Sequence, residues 1–305
     1  MVQAIDWEER FRSWSGPASD TEDEQRDRTE NAIREAIQDS SELADRAIRV
    51  FAKGSYRNNT NVRLDSDVDV AIEFQEIFYY NAEHSVEGMS GSDLGIIPYS
   101  GSYPPERFKD DVEGTLITQF GSPAVDRGNK AIHVREDSGS LSADVVPCFM
   151  HRRYYDIGYN STPLYHEGIQ IHTDSGSRIE NWPEQNYERG VMKNKATSLR
   201  YKRMVRILKR LENDMVGEGI IEEIPSFLIE CLVYNVPNEG FQHDAYRGDV
   251  QYVLAHLFNE TRNGGESKDW VEVNELKWLF HPTQRWTRAQ AHNFASEAWN
   301  YVGFE

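Results

Sequence analysis

Apolar and polar positions alternate in the first half of the chain. "DVDVAIEF" (67–74), "AIHVRE" (131–136) and "SADVVPCF" (142–149) read as strands, the last two joined by the turn "DSGSLS". "RAIRVFAKGS" (46–55) reads as a helix end or short strand running into a Gly-Ser turn. Two helical stretches accompany them: a long, charged leading helix over 20–38, and "RFKDDVEGTLITQFG" (107–121). Between residues 83 and 105 a Gly-, Ser- and Pro-rich stretch predicts a long loop, either a surface insertion or a lid.

From about residue 186 the period changes to that of helices. "RGVMKNKATSLRYKRMVRILKRLEND", "IPSFLIECLVYNV", "DAYRGDVQYVLAHLFNETR" and "TRAQAHNFASEAWNYVG" each predict one. The pattern therefore predicts an α+β fold of two lobes: a mixed β-sheet lobe with its leading helix over 1–185, and an α-helical lobe over 186–305. A cleft is expected between them. A chain of 305 residues is long enough to bury such cores.

The chemistry concentrates in "KGSYRNNTNVRLDSDVDVAIEF" (53–74). Residues two apart on a strand share a face, so Asp67 and Asp69 point together, with Asp65 and the turn residue Ser66 just before them. Two such carboxylates repel, and a hard divalent cation with oxygen ligands relieves them. About a dozen residues upstream, Gly54 and Ser55 offer close backbone approach, free N–H groups and a hydroxyl to a metal-bound triphosphate. Neither G-x-x-x-x-G-K-[ST] nor G-x-G-x-x-G occurs, which argues against a P-loop or dinucleotide-binding protein.

Charge sharpens this picture. The net charge of −18 opposes a protein that coats nucleic acid. Yet residues 193–210 carry no acidic side chain. Read as one helix, they align Lys195, Ser198, Lys202, Arg206 and Lys209 along one face, opposite Tyr201, Met204, Leu208 and Leu211. That stripe is either a solvated face pairing with acidic neighbours or a phosphate contact closing over a nucleotide, with Lys202 in the latter set. Cys148 and Cys231 stand far apart, without zinc or disulfide spacing, and read as reduced core residues. The first residues lack a signal peptide's apolar core and no stretch is long enough to span a membrane, so a cytoplasmic protein is expected.

The segment 53–74 resembles the signature of the DNA polymerase beta-like nucleotidyltransferases: G-S, roughly a dozen residues, D-x-D, and a third carboxylate on a later strand. In this sequence that third residue matches Asp144 in "LSADVVPC". Within that superfamily the chain resembles the cGAS/DncV-like nucleotidyltransferases through "NWP" (181–183), "YKRMVRILKRL" and "PSFLIECLVYNVPN". The resemblance implies a bilobed fold and two Mg²⁺ ions, with Mn²⁺ able to substitute. Asp67 and Asp69 would hold both ions, and Asp144 would bind the catalytic one. It also assigns Lys209 and Ser226 to the donor triphosphate.

By the same resemblance the chain would join NTPs into a cyclic oligonucleotide, most simply a cyclic dinucleotide, with release of pyrophosphate. The setting would be bacterial anti-phage signalling, in which a separate effector protein reads the product. There is no Cys/His cluster like that of the animal DNA sensor, so DNA activation is not implied. Competing readings are transfer to another acceptor (an RNA end, a small molecule or a protein) and an inactive nucleotide-binding module. The histidines, among them His133, His151 and His243, lack metal-ligand spacing and read as structural or surface residues. Trp270, Trp278, Trp286 and Trp299 read as core anchors. For Tyr154 and Tyr155, base stacking and ordinary packing both remain open.

Overall fold

The structure, a computed structural model, describes residues 5–17, 19–62, 67–83, 85–135 and 141–305. Asp65, Ser66 and most of the turn expected at 137–142 lie outside them. The chain divides into two compact units. One comprises residues 20–56 and 65–183; the other comprises 1–19, 57–64 and 184–305. The boundary thus falls two residues before the expected one, and two N-terminal segments belong with the helices.

The first unit holds the leading helix α2 (Asp20–Gln38), helix α4 (Phe108–Phe120) and a mixed sheet. α1 (Trp7–Trp14) belongs to the other unit, and the single turn α3 (Gly54–Asn58) follows strand β1 (Ile48–Ala52). The other strands are β2 (Val68–Ala82), β3 (Val125–Arg127), β4 (Ile132–Val134), β5 (Ala143–Ile157), β6 (Pro163–His172) and β7 (Arg178–Asn181). Their order is β1-β2-β5-β4-β3, with β6 and β7 continuing from the distal half of β5. β2 and β5 are parallel; β1–β2, β4–β5 and β5–β6 are antiparallel.

Period-two alternation sorts the side chains of these strands onto two faces. Val68, Val70, Ile72 and Phe74 of β2, with Val145 and Phe149 of β5, join Ile33 of α2 and Phe108, Val112 and Leu116 of α4 in the larger core. Ala71, Val146 and Cys148 face the other way, with Ile169 and Ile171. Asp69 and Asp144 share the parity of this second face, which α2 and α4 leave uncovered. The loop after β2 has no helix or strand among its described residues before Pro105. It is pinned by Val86 and Leu94, both buried against Tyr154.

The helical unit consists of α1, α5 (Pro183–Ala196), α6 (Arg200–Gly217), α7 (Ser226–Tyr234), α8 (Tyr246–Thr261) and α9 (Arg288–Val302). Trp7 and Phe11 of α1 join the core formed by Leu208 and Leu211 of α6, Leu232 of α7, Leu254 of α8 and Phe294 of α9. The single helix expected over 189–214 is in fact two. Ser198 and Leu199 adopt left-handed φ values of 50° and 66°. Polar side chains satisfy the exposed backbone at this break: Thr197 Oγ1 accepts from Tyr201 N at 3.0 Å, and Asn194 Oδ1 from Lys202 N at 3.1 Å. Lys195 and Ser198 therefore do not extend the face of α6. Trp270 is buried and Trp286 and Trp299 pack on the core, but Trp278 is 54 % exposed, contrary to its reading as an anchor.

Candidate active site

Three strands of the sheet unit set the carboxylates in a row. Register places Asp69 of β2 directly beside Asp144 of β5, and Asp144 directly beside His133 of β4. Asp67 precedes β2 by one residue. The oxygens of Asp67 and Asp144 and a ring nitrogen of His133 lie within 4.8 Å of one another. His133 Nδ1 is 3.2 Å from Asp144 Oδ1 and 3.7 Å from Asp67 Oδ2. The side chains of Asp67, Asp69, Asp144 and His133 are 34–44 % exposed, open enough to meet an ion from solvent.

The electrostatics fit a cation. Burial holds the Asp67 carboxyl above its ordinary range; nearby His133 opposes this, while Asp144 and Asp69 reinforce it. A divalent ion would relieve that crowding, and the oxygen-rich donor set suits Mg²⁺ or Mn²⁺. Asp69 is clasped separately: Lys53 Nζ lies 2.8 Å from its Oδ1, and Lys53 N donates to Asp69 O at 2.8 Å. His133, read from sequence as structural or surface, belongs to this cluster. Its only sequence signal is its place in a strand paired with the one that carries Asp144.

Gly54 sits against the same carboxylate. Its φ is +69°, and a Cβ there would lie 2.1 Å from Asp69 Oδ2. The glycine thus supplies both the left-handed turn and the space that Asp69 occupies. Ser55 follows it, half-buried, in α3.

The residues expected at the triphosphate from the helical half are placed in their own unit. Ser226 is exposed and opens α7. Lys202 is half-buried, its Nζ 5.7 Å from the centre of the Tyr187 ring, and burial lowers the pKa of its amine. Lys209 is 2 % exposed, and its Nζ donates to Glu230 Oε1 at 2.6 Å and to Thr60 O at 3.1 Å. Arg206 is 5 % exposed and donates to the carbonyls of Ser15 and Asn59. Burial, with Arg203 and Arg210 nearby, lowers its pKa to about 10. The expected stripe is therefore largely turned inward: two of its cations bind backbone oxygens and a buried carboxylate of their own unit.

Tyr154 is 2 % exposed and belongs to a packed cluster, which settles its role as packing. Tyr155 stacks on His166, ring centres 4.5 Å apart. His151 is buried, its Nδ1 3.3 Å from Gln170 Nε2, as a structural histidine should be.

A parallel β2–β5 pair carrying D-x-D and a third carboxylate, approached by a left-handed Gly-Ser turn, defines a polymerase beta-like nucleotidyltransferase. The chain belongs to the cGAS/DncV-like nucleotidyltransferases. Residues 188–303 match that family's C-terminal helical domain. The cyclic dipyrimidine nucleotide synthase CdnE of Legionella pneumophila is 42 % identical over 302 residues, covering 98 % of this chain and 99 % of that protein. The structure of Elizabethkingia meningoseptica CdnE cyclic dinucleotide synthase with GTP and Apcpp superposes with a TM-score of 0.79 at 34 % identity, covering 97 % of this chain and 99 % of that one. Rhodothermus marinus CdnE c-UMP-AMP synthase with Apcpp and Upnpp gives 0.82 at 28 % identity, covering 97 % of both chains. No described helix is long and apolar enough to cross a membrane.

Proposed function

We propose that this chain is a CdnE-type synthase that joins two NTPs into a cyclic dinucleotide, releasing two pyrophosphates. The observation that carries the reading is the row of Asp69, Asp144 and His133, set side by side by strand register with Asp67 at its end. Divalent ions bound there would activate the attacking ribose hydroxyl and neutralise the triphosphate and the leaving pyrophosphate. Asp67, Asp69 and Asp144 are the ligands. Lys53 holds the Asp69 carboxylate in place through a 2.8 Å contact, and Gly54 leaves room for it.

On the nucleotide side, the backbone at Gly54 and Ser55 takes phosphate oxygens, and Ser226 and Lys202 meet the donor triphosphate from the helical unit. Lys209 reaches a phosphate only by leaving Glu230. The product leaves as a signal for a separate effector protein, in defence against phage.

The test incubates purified protein with ATP, GTP, CTP and UTP plus Mg²⁺, followed by phosphatase and mass spectrometry. All four bases are needed because the relatives differ in theirs: dipyrimidine, or UMP with AMP. A phosphatase-resistant cyclic product, absent from an Asp67→Asn/Asp69→Asn variant, is expected. Pyrophosphate release that depends on an added acceptor, with no cyclic product, would overturn the proposal.

A further inference from the structure

We infer that His133 is a direct ligand of the divalent ion, a nitrogen donor in an otherwise oxygen-lined centre, and that it shifts the site's preference from Mg²⁺ toward Mn²⁺. The inference rests on reading this cluster as the metal centre of nucleotidyl transfer.

Geometry carries it. Around an octahedral ion with ligands near 2.1 Å, adjacent donors lie about 3 Å apart and opposite donors about 4.2 Å. His133 Nδ1 stands 3.2 Å from Asp144 Oδ1, close to the adjacent spacing, and 3.7 Å from Asp67 Oδ2, between the two limits. A histidine serving only to orient Asp144 would need one hydrogen bond and would have no reason to face Asp67 as well. The placement is also enforced. His133 shares a register position with Asp144, and its neighbours Ile132 and Val134 are buried in the opposite core, so the ring faces the carboxylates. The ring is 34 % exposed, so an ion can reach it from solvent.

Chemistry sets the consequence. Mg²⁺ takes oxygen ligands and gives up its waters reluctantly, whereas first-row transition ions accept imidazole nitrogen readily. Mn²⁺ is the weakest binder of that series, which makes it the most demanding probe. Asp67, Asp69 and Asp144 supply the oxygen donors for either ion, so the imidazole is the donor that distinguishes them.

The experiment is pulsed electron paramagnetic resonance of the full-length protein loaded with Mn²⁺ alone, prepared unlabelled and with ¹⁵N-histidine. Titrations of Mn²⁺ and of Mg²⁺ into wild type and His133→Ala accompany it. The expected result is a nitrogen coupling that changes from ¹⁴N to ¹⁵N with the label and is lost in the variant. Mn²⁺ affinity should fall by about tenfold or more while Mg²⁺ affinity changes far less. A bound Mn²⁺ without nitrogen coupling, a coupling that survives His133→Ala, or an equal loss for both ions overturns the inference. The labelled wild-type spectrum decides it even where the variant misfolds. Product formation from NTPs by wild type is scored separately, so a failure of the ligand assignment is told apart from a failure of the catalytic reading.

Discussion

Gly54 offers a sharp test of how the turn and the carboxylates depend on each other. In Gly54→Ala the new methyl would stand 2.1 Å from Asp69 Oδ2, 3.0 Å from Cγ and 3.3 Å from Cβ. An unstrained contact begins near 3.4 Å, so the oxygen must retreat by about 1.3 Å. The carboxylate can do this by rotating, which costs the fold little but breaks the 2.8 Å pair with Lys53 and moves a proposed metal ligand. A misplacement of about 1 Å in a reacting geometry is worth roughly 10²-fold in rate. The left-handed backbone adds about 1–2 kcal/mol of destabilisation for any L-residue. Gly219 supplies the control: its φ is +72° and nothing lies within 4 Å of a Cβ built there. Gly219→Ala should therefore lose similar stability and keep its turnover. Both variants are measured by urea denaturation and by pyrophosphate release at saturating NTP. Turnover within threefold of wild type in Gly54→Ala, or an equal loss in both variants, would refute the reasoning.

Other expectations follow from the same geometry. Asp67→Asn and Asp69→Asn should each abolish cyclic product, and Asp67→Asn should leave the thermal melt unchanged or raised, because a crowded carboxylate is neutralised; wild-type turnover in the double variant would remove the metal-site assignment. Lys209→Ala should cost about 3–5 kcal/mol in urea denaturation, because it leaves Glu230 buried with Thr60 Oγ1 as its one other side-chain donor among the described residues. Lys209→Met with Glu230→Leu should recover most of that loss, and a Lys209→Ala protein as stable as wild type would contradict the structural pair. Asp174 is held down at about 2 by hydrogen bonds from Arg127 and Lys109, against an ordinary value of 3.8. Its contribution is therefore fully present above about pH 4 and lost as pH falls toward 2. Asp174→Asn should melt below wild type at pH 7, with the gap closing in that window; a gap that does not vary with pH would refute it.

The candidate carboxylates Asp67 and Asp69 were legible because their signal is local. G-S and D-x-D lie within 16 residues, and strand alternation alone puts Asp67 and Asp69 on one face. Asp144 needed the family pattern, since nothing in its own neighbourhood marks it. His133 lay beyond sequence reasoning because a lone histidine carries no spacing signal, and only the β4–β5 register brings it to Asp144. The helix break at 197–199 was missed for want of glycine or proline, though Thr197 and Asn194 are the capping side chains such a break requires. Helix α1 and strands β3, β6 and β7 went unread: three are short, and the fourth, β6, buries mainly its distal half.

The cationic stretch is the most instructive case, because its composition was legible in the sequence and the backbone carbonyls it binds were not. Arg206, Lys209 and Arg210 donate to carbonyls of Asn59, Thr60 and Val62, and Arg206 and Arg210 also to Ser15 and Ser13. Backbone oxygens in an irregular segment need donors when they are buried, and a long cation can reach them where no strand or helix does. The segment 57–64 is flanked in sequence by Gly54 and Ser55 on one side and Asp67 and Asp69 on the other. The carbonyls of Asn59, Thr60 and Val62 in this segment are thereby fixed to α6. Three cations on this one helix of an acidic protein thus bind backbone oxygens. Lys202, whose Nζ lies 5.7 Å from the centre of the Tyr187 ring, is the cation of the stripe proposed above for the triphosphate.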